Sequence, residues 1–102
     1  MFKVGSLIKL KEQCLGNPHG TVGYVYETYI DYNYQNQKGI SIIFPNGNYD
    51  GFSYNDQHIF IDPEFNQETD FKYEFKNVMK LSYDFNRGFF NKVLNIESNL
   101  YK

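Results

Sequence analysis

The stretch Ile40-Ser41-Ile42-Ile43-Phe44-Pro45-Asn46-Gly47-Asn48-Tyr49-Asp50-Gly51-Phe52-Ser53 decides how the chain is read. Its first arm is β-branched and aromatic, which suits a pleated, half-buried surface. Asn46-Gly47 can take positive φ at both central turn positions, and so predicts a type I′ turn whose twist matches a tight hairpin. Pro45 has no backbone donor and belongs at a strand end.

Upstream, Ile8 and Leu10 alternate with Lys9 and Lys11, predicting a first strand over 6–11 with one wet face. Gly5 marks a bend before it, and Gly16-Asn17-Pro18 makes 12–19 an irregular loop. Gly20 opens a long strand over 21–30, rich in Val, Thr and Tyr. Val22, Tyr24 and Tyr26 fall on one face, and Gly23, Val25 and Glu27 on the other. Apolar groups on both faces predict a bulge at Gly23 or a strongly curved strand. The polar and aromatic run 31–38 has no helical period and reads as a surface loop or a protruding extension of the hairpin.

Downstream, 54–58 reads as one short 3₁₀ turn and Ile59-Phe60-Ile61 as a short strand stopped by Asp62-Pro63. Residues 62–70 form an acidic linker carrying Asp62, Glu64, Glu68 and Asp70, a solvated run or a complement to a basic partner surface. Phe71, Tyr73 and Phe75 alternate with Lys72, Glu74 and Lys76, predicting a strand. The period then changes: Val78, Leu81, Ser82, Phe85 and Phe89 make a helical stripe, with Asn77 as N-cap and Gly88 just past the end. A helix over 78–87 is expected, covering an open end of the preceding β structure or forming a dimer or partner surface. Residues 95–102 read as a frayed tail.

Strand, long loop, long curved strand, tight hairpin, short helical turn and final short strand resemble, in that order, an SH3-like small β-barrel. The resemblance covers 4–61 and rests on Val4-Gly5, Gly20-Thr21-Val22, Phe44-Pro45-Asn46-Gly47 and 56–59. The Gly-Thr-Val opening is similar to the KOW-type members of that group. The resemblance implies a mainly β, five-stranded SH3-like barrel, to which 71–94 add a strand and a short helix, all within one domain over 1–102. It also implies that loops beside the barrel present aromatic rings to ligands, although no motif carries the family's ligand-binding aromatics onto particular positions here.

A chain of 102 residues with 41% hydrophobic residues can bury a core without disulfides or metals. Aromatics reach 20% with no Trp, so the core is built from Tyr and Phe rings. Part of this bias, shared with Asn, Ile and Lys, matches AT-rich codon usage. The net charge of −2 argues against broad non-specific binding to nucleic acid. The single cysteine, Cys14, cannot form an internal disulfide and fits a reducing compartment. No apolar N-terminal core or long apolar run is present, so a cytoplasmic protein with no membrane partner is expected.

The tyrosines carry the functional reading. Tyr29, Tyr32, Tyr34 and Tyr54, with Lys38 beside them, are the expected binding face. A groove for Pro-rich peptides is disfavoured by the absence of Trp. A nucleic-acid face would set Lys9, Lys11 and Lys38 beside the rings, but the first 60 residues hold four basic side chains against five acidic ones. His19, His58 with Asp56, and Cys14 lack further ligands at matching spacing and read as local turn groups. The serines and glycines form no nucleophile elbow or phosphate cradle. No catalytic site, metal or cofactor is expected. The reading is a non-catalytic module binding another protein as adaptor or inhibitor, of the immunity-protein or phage-inhibitor type by analogy of size and composition. The rival is a KOW-like nucleic-acid module, and a homodimer through 71–94 is a further partner reading.

Overall fold

The computed structural model describes residues 2–97, without the Tyr34 side chain. Its strands are β1 (Ser6–Lys9), β2 (Val22–Asp31), β3 (Gln37–Ile43), β4 (Tyr49–Phe52) and β5 (Gln67–Glu68), and its helices α1 (Tyr54–Phe60) and α2 (Val78–Asn86). The strands form one open sheet in the order β4-β3-β2-β1-β5, and every pairing is antiparallel.

β2 and β3 pair from Tyr24↔Ile43 out to Asp31↔Gln37, so 31–38 is a protruding hairpin extension closed by a 3₁₀ turn at Tyr32–Tyr34. The bulge lies between Val25 and Glu27, not at Gly23. Gly23 stays in regular register opposite Ile8. Its role is packing: a Cβ there would stand 2.6 Å from Ile42 Cγ2 and 2.9 Å from the Phe44 ring. The extra residue, Tyr26, reverses the alternation beyond it. Glu27 therefore leaves the Val25 face and accepts a 2.9 Å hydrogen bond from Ser41 Oγ.

The central turn is a three-residue loop, not a type I′ turn. Phe44 N–H donates to Asn48 O at 2.9 Å, and Gly47 N–H returns to Phe44 O at 2.8 Å. Gly47 is left-handed at φ 89°, whereas Asn46 is not. The reason is Pro45. A two-residue loop would make Pro45 the closing partner of Asn48, and proline has no N–H to donate. Pro45 instead takes the second turn position, where its fixed φ is favoured. Asn46 ties the turn to the long loop through bonds to Leu15 O (3.0 Å) and from Asn17 Nδ2 (3.2 Å).

Both faces of the sheet are packed. On one, Ile8, Leu10, Val25, Ile40, Ile42, Phe44, Phe52 and Ile61 form a buried cluster against which Phe60 rests. The expected strand 59–61 is reduced to one bridge, Leu10↔Ile61. Ile59 and Phe60 complete α1, a full α-helix of seven residues rather than a single 3₁₀ turn. Ser53 caps it, its hydroxyl accepting from Asp56 N.

On the other face Tyr24, Tyr26 and Ile43 pack with Tyr73, Leu81, Phe90 and Leu94. The expected strand over 71–76 joins no ladder and 71–77 has no regular secondary structure; the strand in this region is β5, inside the expected acidic linker. Side chains replace the ladder. Tyr24 Oη donates to Phe71 O at 2.5 Å and accepts from Tyr73 N at 2.9 Å. The alternating rings land on the sheet tyrosines, Phe71 on Tyr24 at 5.4 Å and Phe75 on Tyr26 at 4.9 Å between centroids. α2 follows with the expected caps. Asn77 Oδ1 accepts from Lys80 N, while Phe89 N–H to Asp84 O and Gly88 N–H to Phe85 O (both 3.0 Å) close a Schellman motif around Gly88 at φ 91°. Ile96 N–H bonds to Asn91 O, so the chain stays pinned here, and 98–102 of the expected tail lie outside the described residues.

Candidate functional site

The expected tyrosine site is only partly assembled. Because of the bulge, Tyr29 projects over its cross-strand partner Gly39, filling the space where a side chain would stand, and reaches Gly51. The ring is half-buried and shields glycine backbone. Burial pushes its phenol pKa upward, and Asp31, Asp56, Glu27 and Asp50 add to the rise. Lys38 adjoins Gly39 in β3, so its side chain leaves the opposite face of the sheet. It is half-buried, and its carbonyl accepts from Gln57 Nε2 at 3.0 Å.

Tyr32 is 81% exposed at the hairpin tip, and exposed Tyr54 begins α1 with its ring edge-on to His58 at 4.6 Å. The Tyr34 side chain lies outside the described part. Tyr54 lines an open cavity of about 380 Å³ with Asn33, Gln35 and Gln37. Gln35 and Asn36 are consecutive left-handed residues, at φ 55° and 61°. This pocket offers amides and one phenol, suited to hydrogen bonding rather than proton transfer.

Among the described residues no three of His, Cys, Asp and Glu gather as a metal site would require. Cys14 is tied backbone-to-backbone with Asn17, and burial, aided by Asp50 and Asp56, pushes its thiol pKa up. A thiol so placed is a weak nucleophile. No helix among the described residues is long and apolar enough to cross a membrane.

A second site lies on α2, whose stripe the sequence leaves open as a cover for the β structure or as a dimer or partner surface. The predicted stripe of α2 is divided: Leu81 is buried and Ser82 and Phe85 half-buried, but Val78 and Phe89 face solvent. Beside them Met79 is 82% exposed and Tyr83 57%. The signal was present at Met79, Tyr83 and Arg87, which share a face at i, i+4 and i+8.

Two cations brace these rings. Lys80 Nζ lies 5.7 Å from the Tyr83 centroid and 5.9 Å from that of Phe89. The Arg87 guanidinium lies 5.4 and 5.5 Å from the same rings. Lys80 is fixed from below by Asp84, 2.9 Å away and only 2% exposed. Tyr73 Oη donates to the same carboxylate at 2.6 Å. The Tyr73 hydroxyl first, then Lys80, hold the Asp84 carboxyl below the usual carboxylate range. Burial and then Asp84 push the Tyr73 phenol up. On the other side of Phe89 a cavity of about 540 Å³ is lined by Thr69, Asp70, Phe71, Lys92 and Val93.

Neither a family model nor a curated protein nor a solved structure matches this chain.

Proposed function

We propose that this protein is a non-catalytic binding module with an SH3-like core, acting on another protein as an adaptor or inhibitor of the immunity-protein or phage-inhibitor type. Support for the SH3-like core comes from the order β1, long loop, β2, β3, β4, α1, with Leu10 bridged to Ile61 immediately after α1. The observation that carries the binding reading is the exposed cluster of Met79, Tyr83, Phe89 and Arg87 on and beside α2. Tyr and Arg dominate interface hot spots, and Met and Phe are enriched in interfaces.

The test is an affinity pull-down from native lysate, with and without nuclease, using the wild type and a Met79→Ala, Tyr83→Ala double variant. A protein retained after nuclease treatment and lost from the variant supports the reading. Retention dependent on polynucleotide overturns it. The nucleic-acid alternative has one specific observation in its favour, two cations beside two rings. A steep fall of affinity with salt would mark it.

A further inference from the structure

Resting on the protein-binding reading, we infer that the partner docks on the outer face of α2 and presents an apolar ridge bordered by carboxylates. The centre of the face is apolar: Met79, Tyr83 and Phe89 stand exposed, the two rings flanked by Lys80 and Arg87. Its border is basic. Lys76, Lys80, Arg87 and Lys92 are all exposed. Asp84, the one acidic residue of α2, is buried and saturated by Tyr73 and Lys80, so it sends no carboxylate outward. Two exposed carboxylates interrupt this border without outnumbering its cations: Glu74 shares a cavity with Lys76 and Lys80, and Asp70 shares one with Lys92. The whole chain carries −2, so this basic rim is a local feature and not the average of the molecule.

The rim is also ordered in advance. Asp84 and the two rings hold Lys80, the rings hold Arg87, and the Schellman turn fixes Phe89. A partner carboxylate meets a guanidinium already positioned for a bidentate contact, with less side-chain freedom left to lose. A polynucleotide fits less well, because exposed Met79 and Val78 beside the two rings give a base nothing to stack on and Lys80 is already paired with Asp84.

The test uses the full chain as bait for a displayed library of short random peptides, with the best selected peptide then titrated by fluorescence polarisation. Peptides combining Asp or Glu with Leu, Phe or Trp are expected. Their binding should weaken about tenfold or more with Met79→Ala plus Tyr83→Ala. Arg87→Glu should slow association and flatten its salt dependence, while Glu12→Ala leaves binding unchanged. All four positions are exposed, and circular dichroism checks that each variant is folded. Peptides without carboxylates that still need Met79 and Tyr83 overturn the acidic ridge but leave the protein-binding reading standing. Peptides that respond to Tyr54→Ala instead move the site to the hairpin tip and overturn the inference. Failure to select any peptide, or salt-sensitive binding of labelled oligo(dT) lost in the same double variant, overturns both readings.

Discussion

Tyr24 is the residue on which the two halves of the chain meet. Its hydroxyl gives a hydrogen bond to Phe71 O and takes one from Tyr73 N across the sheet face. Tyr24→Phe keeps the ring, leaves the Tyr73 N–H without a partner and leaves Phe71 O only the 3.3 Å bond from Thr69 Oγ1. A loss of about 1–3 kcal/mol is expected, read from urea unfolding. Asp84 makes a separate prediction in acid. Its folded pKa is lowered, so its stabilisation is present above the unfolded carboxylate value, about 4, and is lost as pH falls through the folded value. Tyr73→Phe removes the larger cause of that lowering. The acid-unfolding midpoint, followed by circular dichroism, should therefore move to higher pH in the variant. Neither role was legible in the sequence. Phe71, Tyr73 and Phe75 alternate identically whether they form a ladder strand or a strap held by a phenol donated from position 24. The side of the sheet that Tyr29 occupies is not legible either, because a single inserted residue, Tyr26, reverses it and no local pattern marks that insertion.

At the scale of elements, legibility follows how local the signal is. α2 begins at Val78 and stops before Gly88 because Asn77 and Gly88 act within one turn of themselves. The hairpin over 40–53 is present because an apolar first arm and a second arm carrying Tyr49 and Phe52 flank a turn sequence, but the turn type is set by proline's missing donor. Gly47 is where that turn can be tested. It is left-handed, and a Cβ there would meet the Phe85 ring of α2 at 3.1 Å. Gly47→Ala should cost about 1 kcal/mol or more, seen as a lower midpoint in thermal unfolding. Which part of the α2 stripe is exposed is not legible for a related reason: periodicity finds the apolar face of a helix but does not say how much of it the sheet can cover.

The whole molecule is a sheet packed on both sides, so the chain beyond Asp70 is core and not an appendage. The sequence reading placed a barrel over 4–61 and an addition after it. Packing of Tyr73, Leu81, Phe90 and Leu94 on Tyr24, Tyr26 and Ile43 makes the two inseparable. A chain ended at Asp70 would bare that aromatic face, and is expected to lose its cooperative unfolding transition and to aggregate on size exclusion. The same burial sets the alkaline limit. Burial raises the phenols of Tyr24, Tyr29 and Tyr73, and pushes Tyr26 up to about 12. The folded state then holds protons that the unfolded state releases from pH about 10 upward, so stability should fall between about 10 and 12. Phenolate absorbance should rise in step with loss of ellipticity.

The Tyr24 link joins positions 49 residues apart through the amide of Tyr73. That amide is a natural gauge of whether the C-terminal cover is seated. If the cover lifts while the sheet persists, the proton at Tyr73 will exchange with deuterium ahead of those in the β2–β3 ladder. If cover and sheet melt as one, all will exchange together, and the aromatic layer will have to be counted as part of a single foldon.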